Sequence, residues 1–458
     1  MYLPRYSFLT VKLVKRTFFF KLIKSYLSVS VTIFFSLFLV SCETIVSQDH
    51  NRLERNSGIE FFSAVYKNIL VFHRDQPDIS TIMLAGLNGL ANIDNRIHHE
   101  LSNNEISINL DQTIKTTLQL PKTNNPSSWA TLTIEIILQL QNESNNLKDK
   151  SSNHIYSVFL EHALLTLDEY TRYRPASVFK PEKPPQSIKE KTEFLFPNEL
   201  SIRDNIRIIK ISSFVSGTSE LIKKQIQAIQ ENNNYYNKGI IIDLRNNRGG
   251  RLDEAVATAD LFISEGTILK TQGRHPDANQ HYIATPDNTN QDIPLIILIN
   301  NATASAAEVL AAAINDHDKG LLLGTHSYGK GSVQRVRYLP NKGKLNITWK
   351  ELFTPQGFSF TKFSVSPKLC TANKNKISQI TTSTLLESML VKIKNKKFKS
   401  PKNSDSTQGK DLKVDNKCKI LKSTLGSNED YDLKIALDII ANKHLYLEVI
   451  NHPGIIDF

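Results

Sequence analysis

The sequence predicts an α/β protein, with a largely parallel sheet covered by helices, preceded by a mostly helical unit. Three observations carry this. Between residues 206 and 325 short apolar runs alternate with amphipathic stretches, the pattern of strand–helix–strand units. Each run is almost unbroken Ile and Leu, as in strands buried on both faces. The chain has 458 residues, 40% hydrophobic and 22% charged, enough for at least two units with a real core.

The elements follow in chain order. Residues 1–41 carry six basic residues and no acidic one. A basic stretch ends at Lys24, and an apolar run leads to "LVSC", Leu39 to Cys42. Ser41 directly before Cys42 resembles the signal at which a bacterial lipoprotein is cleaved and lipidated on Cys. The other reading is a transmembrane anchor, but Tyr26 to Val40 is 15 residues, short of the ~20 that span a bilayer. Residues 1–41 are therefore expected to be a lipoprotein signal peptide, with Cys42 lipidated and the protein periplasmic and membrane-anchored. Much of the formal net charge of +11 lies in this leader. Beyond it 50 basic residues face 45 acidic ones, which makes no case for nucleic-acid binding.

Residues 42–175 form the tether and N-terminal helical domain. Apolar positions from Phe61 to Leu90 fall at helical spacing, and "WATLTIEIILQL" (129–140) and "HIYSVFLEHALLTL" (154–167) add helices. Residues 102–115 show no clear pattern. Five prolines in 174–205 mark a linker, assigned to 176–205. The α/β core spans 206–375. Its strands are expected at 206–212, 239–246, 294–300 and 320–325, and its helices at 218–230, 252–263 and 305–316. Residues 376–458 hold a lysine-rich insertion, 391–422, and a closing helix, 429–443. Apart from Cys42 the cysteines are Cys370 and Cys418. An even pair outside the cytoplasm suggests one disulfide, the alternative being two buried thiols.

The chemistry begins at "GTHSYGKGSVQ" (324–334). Gly324, Gly329 and Lys330 have the spacing of a phosphate loop, but Gly331 stands where Ser or Thr should hold Mg²⁺. The following residues alternate like a strand instead of opening a helix. Lys330 is better used as a base, because burial penalises its ammonium form. A neutral lysine can activate a serine hydroxyl. Ser305 is the candidate nucleophile: it sits where an apolar strand meets an Ala-rich helix, whose first N–H groups face developing negative charge. The plainer use of Ser305 is as a helix N-cap. Gly249-Gly250 lies at another strand–helix turn, where glycine lets an N–H approach a ligand oxygen closely. The plainer reading there is a tight turn.

Three blocks, "GIIIDLRNNRGGRLDEAVATADLFI", "PLIILINNATASAAEVLAAAINDH" and "GTHSYGKGSVQ", together resemble the C-terminal-processing, or tail-specific, serine peptidase family. They stand in the family's order, with Lys330 25 residues after Ser305 and Gln334 four after Lys330. "LDEYTRY" (167–173) and "TPQGFSF" (354–360) resemble flanking family motifs. The resemblance implies a crotonase-like core and cleavage of extended or unfolded polypeptide, with no metal or cofactor. It also implies roles: Ser305 as nucleophile, Lys330 as general base, Gln334 orienting the lysine amine, and the Gly249 and Ala306 N–H groups as oxyanion hole. Two departures stand out. The family usually carries a PDZ module before the core, and 174–205 is too short for one. Arg248 replaces a common Pro before Gly-Gly. The rival expectation is a catalytically silent member serving as a binding scaffold. "SVFK" (177–180) and "HHE" (98–100) imitate other catalytic motifs without their context. His326 reads as a strand-end histidine. Oligomeric state has no sequence signal.

Overall fold

The computed structural model describes residues 54–111, 113–178, 200–203, 205–231, 239–286, 293–372, 418, 430–452 and 456–457. The leader, Cys42, most of the proline-rich segment and all of the lysine-rich insertion except Cys418 lie outside the described residues. The chain forms two compact units.

The first unit comprises 54–67, 79–163 and 339–341 among the described residues. Its elements are α1 (54–72), of which the last turns belong to the second unit, α2 (Ile79–Leu90), β1 (Ile97–Ser102), β2 (Glu105–Leu110), β3 (Thr113–Gln119), α3 (Pro126–Glu143), α4 (Asn145–Lys148) and α5 (Ser152–Leu165). The helical spacing places Phe61, Phe62, Tyr156 and Phe159 together. The Phe61 and Tyr156 rings stack at 5.1 Å, and Phe62 meets Phe159 edge-on at 5.1 Å. Asn125 starts α3 by accepting from the Ser127 and Ser128 N–H groups. The unit is not wholly helical, since β1–β2–β3 form an antiparallel sheet. Its first hairpin turns at Asn103-Asn104, both at positive φ (48° and 66°). Asn tolerates that conformation better than most residues and so closes the two-residue turn.

The second unit continues with β4 (Arg172–Arg174), β5 (Leu200–Arg203), β6 (Ile206–Lys210), α6 (Thr218–Glu231), β7 (Gly239–Asp243), α7 (Leu252–Asp260), β8 (Thr267–Gln272), β9 (Gln280–Ile283), β10 (Leu295–Ile299), α8 (Ala306–Asp316), β11 (Leu321–Gly324), β12 (Ser332–Tyr338), β13 (Lys344–Phe353), β14 (Leu369–Cys370), α9 (Tyr431–Ala441), α10 (Lys443–Ile450) and β15 (Ile456–Asp457). Seven strands form one sheet in the order β15-β14-β11-β10-β7-β6-β5, parallel except for edge strand β5. Alternate residues face opposite sides. Ile240, Ile242, Ile297 and Ile299 pack under α6, α7 and α8, whereas Ile241, Ile296 and Leu298 pack under α9 and α10. Each fully buried Ile or Leu contributes roughly 1.5–3 kcal/mol, which explains why the runs contain no polar break. The expected parallel α/β core is present, with three differences. Part of the segment read as linker is strand β5. The closing helix is two helices. A second sheet, β12-β13-β8-β9 with β4 paired to β13, adds five strands. Cys370, on β14, is joined by a disulfide to Cys418, 48 residues on.

Candidate active site

The carboxyl ends of β7, β10 and β11 each run into a loop, and the three loops are fastened together. After β10 the loop Asn300–Ala304 leads to Ser305 at the N-cap of α8, with φ 59° and ψ −121°. Positive φ is costly for a residue with a Cβ, so neighbours must hold it. The principal holder is Glu308, three residues on and fully buried. Its Oε2 accepts from the Ser305 N–H (2.7 Å) and the Lys330 N–H (2.9 Å). Its Oε1 accepts from the Ser327 hydroxyl (2.5 Å) and the Gly329 N–H (2.6 Å). One carboxylate thus ties the serine turn to the lysine loop. Burial raises the Glu308 carboxyl above its ordinary value, against the opposing pull of these four donors. The Tyr328 N–H adds a bond to the Thr303 carbonyl (2.9 Å).

The turn after β7 comes up against the same serine. Gly249 has φ 104°, and a Cβ there would lie 2.9 Å from Ser305 Cβ and 3.1 Å from the Ala306 nitrogen. Only glycine fits that approach. The Gly249 N–H donates to Asn247 Oδ1 (2.8 Å), and Asn247 Nδ2 donates to the Ile211 carbonyl (2.7 Å). Asn247 is fully buried, Arg248 exposed. The stiffening expected of a proline at 248 therefore comes from the asparagine before it. Asn246 and Asn300 exchange two hydrogen bonds of 3.0 Å, and the Ala304 N–H donates to the Asn247 carbonyl (2.9 Å).

Lys330 is half-buried. Burial and the nearby Arg172 cation lower its pKa from the ordinary lysine value, opposed by Glu308 and Glu169. Its Nζ lies over the Tyr170 ring, 5.1 Å from the centroid. Among the described residues no hydrogen bond joins this amine to the Ser305 hydroxyl. Gln334, at a bulge in β12, donates from Nε2 to Ser332 Oγ (3.0 Å) and Thr348 Oγ1 (3.4 Å). The structure therefore brings Ser305, Ala306 and Gly249 into one corner and the Lys330 backbone alongside. It gives the lysine amine to Tyr170 and the glutamine amide to β12 and β13. His326, read as a strand-end residue, is buried and meets Ser366 Oγ at 3.1 Å.

Glu308, Asn247, Asp168 and Tyr170 were missed from sequence. Ser305-x-x-Glu308 is a capping-box spacing and could have flagged the first. The others also depend on partners remote in sequence: Ile211 for Asn247, His73 and Thr348 for Asp168, and Lys330 for Tyr170.

The mostly parallel α/β core thus carries a serine at a helix mouth, between a glycine turn and a lysine loop. Residues 205–369 match peptidase family S41, and this part of the chain is similar to C-terminal-processing, tail-specific proteases. It is 38% identical over 132 residues to a carboxy-terminal-processing protease of Bartonella bacilliformis, covering 29% of this chain and 30% of that protein. It is 37% identical over 137 residues to a tail-specific protease of Haemophilus influenzae, covering 30% and 19%. The aligned part is thus under a third of either relative. Among solved structures, a photosystem II D1 C-terminal processing protease is 28% identical, with a TM-score of 0.32 over 35% of this chain and 41% of that one.

Proposed function

We propose that the chain is a serine endopeptidase that hydrolyses peptide bonds in extended or unfolded polypeptide, with Ser305 as nucleophile and Lys330 as general base. The observation that carries this is the Glu308 carboxylate, which binds the backbones of both residues beside the Gly249 turn. Lys330 in its neutral form takes the Ser305 proton as Oγ attacks the scissile carbonyl carbon. The developing oxyanion is met by the N–H groups of Ala306 and Gly249, the latter exchanging its bond to Asn247 for one to substrate. Collapse breaks the C–N bond, the lysine ammonium protonates the leaving amine, and water then hydrolyses the acyl-enzyme. For this the lysine amine leaves the Tyr170 ring for the serine, with Gln334 orienting it. The body of the protein lies on the periplasmic side, held by lipid on Cys42. With no room for a PDZ module in 174–205, substrate enters as any unfolded segment.

The test is labelling by a serine-directed phosphonate. Labelling that disappears in Ser305→Ala supports the reading; equal labelling of both proteins refutes Ser305 as nucleophile, and no labelling of either favours a silent scaffold. Because the Lys330 pKa is lowered, the neutral fraction and the activity rise with pH through a midpoint below the ordinary ~10.4. Lys330→Arg keeps the charge but stays protonated, so it is expected to be as inactive as Lys330→Ala.

A further inference from the structure

Asp168 sits between α5 and β4, in the "LDEYTRY" segment, with its side chain 15% exposed. It accepts five hydrogen bonds. Oδ1 takes the N–H groups of Tyr170 (2.7 Å) and Thr171 (2.9 Å) and the Thr348 hydroxyl (2.8 Å). Oδ2 takes the Thr171 hydroxyl (2.6 Å) and His73 Nε2 (3.0 Å). His73 Nδ1 lies 3.2 Å from both the N–H and the carbonyl of Asp75, and Nε2 faces the carboxylate. Burial raises the Asp168 carboxyl, but the bonds from His73, Thr171, Thr348 and Tyr170 outweigh it and hold the group well below the usual carboxylate range.

Two of these bonds lead to the candidate dyad. The Tyr170 N–H bond fixes the residue whose ring lies under the Lys330 amine. The Thr348 hydroxyl spends its proton on Asp168 and so offers its lone pairs to Gln334 Nε2 (3.4 Å). A single carboxylate thus sets both the resting place of the lysine amine and the anchor of the glutamine. The remaining donors keep it immobile: Thr171 Oγ1 accepts from the Thr348 N–H (3.1 Å), and the Arg74 N–H bonds the Thr348 carbonyl (2.8 Å).

We propose that Asp168 is a positioning residue for the peptidase reaction, holding Tyr170 and the Thr348–Gln334 pair so that the Lys330 amine is kept dehydrated and within reach of Ser305. The proposal rests on Lys330 being the base. The amine is faced by Arg172 and Glu169 from the segment carrying Asp168, and by Glu308 from α8. Asp168 itself is faced by His73 and by Arg74. Losing Asp168 removes the bond to the Tyr170 N–H and leaves the residue held by its hydroxyl contacts with Glu169 and Tyr328, so that the ring shifts and water reaches the amine.

The experiment is the pH–rate profile of Asp168→Asn on an unfolded polypeptide substrate, beside Tyr170→Ala and Tyr170→Phe. For Asp168→Asn, kcat is expected to fall about 10- to 100-fold, with KM changed less than about threefold, and the rising limb to move toward the ordinary lysine value. Tyr170→Ala should reproduce that shift, whereas Tyr170→Phe, which keeps the ring, should retain the wild-type midpoint. An unmoved midpoint in folded Asp168→Asn overturns the proposal, as does a change confined to KM. If Asp168→Asn does not fold, the Tyr170 pair decides: an unmoved midpoint in Tyr170→Ala is equally fatal. Lys330→Arg separates the two layers, because its activity would remove the base reading itself and not only the role of Asp168.

Discussion

The β7–α7 and β10–α8 turns do the same job by different means. Each ends a buried parallel strand, reverses into a helix and brings a backbone N–H into one corner. At Gly249 the left-handed backbone falls on a residue with no Cβ, and one buried amide, Asn247, holds it. At Ser305 a comparable positive φ falls on a residue that must keep its side chain, and a buried carboxylate with four donors holds it. The contrast teaches that strain is cheap where glycine is allowed. Where the side chain is needed, the surroundings supply the stabilisation.

The largest expected effect comes from removing the stronger support. Glu308→Ala leaves three part-buried backbone N–H groups and the buried Ser327 hydroxyl without their acceptor, at a cost of about 3–4 kcal/mol. Peptidase activity should be lost in any folded fraction. Glu308→Gln, which keeps the shape, should lie between it and wild type in urea denaturation. A Glu308→Ala protein as stable and active as wild type would break the comparison at its stronger side.

Next is Gly249→Ala. The added methyl meets Ser305 Cβ at 2.9 Å on a left-handed backbone, and the strain is about 1–3 kcal/mol. Thermal melting should show that loss, and phosphonate labelling of Ser305 should slow at least tenfold. Unchanged labelling would mean that the glycine turn does not shape the serine corner.

The smallest effect sharpens the contrast. If Ser305 carries strain, Ser305→Gly should be more stable than Ser305→Ala by about 1 kcal/mol, the reverse of the usual Ala-over-Gly order near a helix. Both should be inactive. A Ser305→Ala protein more stable than Ser305→Gly would show the turn to be unstrained.

Much of the second unit was legible from local pattern. Continuous Ile and Leu runs reported strands buried on both faces, and the helices between them declared themselves by period. Ser305, Lys330 and Gly249 could be picked out because turn chemistry is written along the chain, whereas Gln334 came only from the family resemblance. β1 and β3 were not legible, because "IHHELS" and "TIKTTLQ" are mostly polar and exposed and lack the alternation of a half-buried strand; β2, "EISINL", does alternate and buries Ile106, Ile108 and Leu110, but it is a short run between two strands without a signal. The second sheet was obscure for another reason: β13 pairs with β4, β8 and β12, partners from 6 to about 170 residues away.

The sequence by itself determined which residues could do chemistry and that parallel strands would present them at helix mouths, since both follow from residue type and short-range period. Only the tertiary structure decided how they are held. It put one carboxylate, Glu308, on two loops, gave the Gly249 N–H to Asn247, and set the Lys330 amine over a tyrosine anchored by Asp168. Hydrogen bonds between groups far apart in sequence cost chain entropy that only the assembled core offsets. No local pattern records which of the many possible partners that core will bring together.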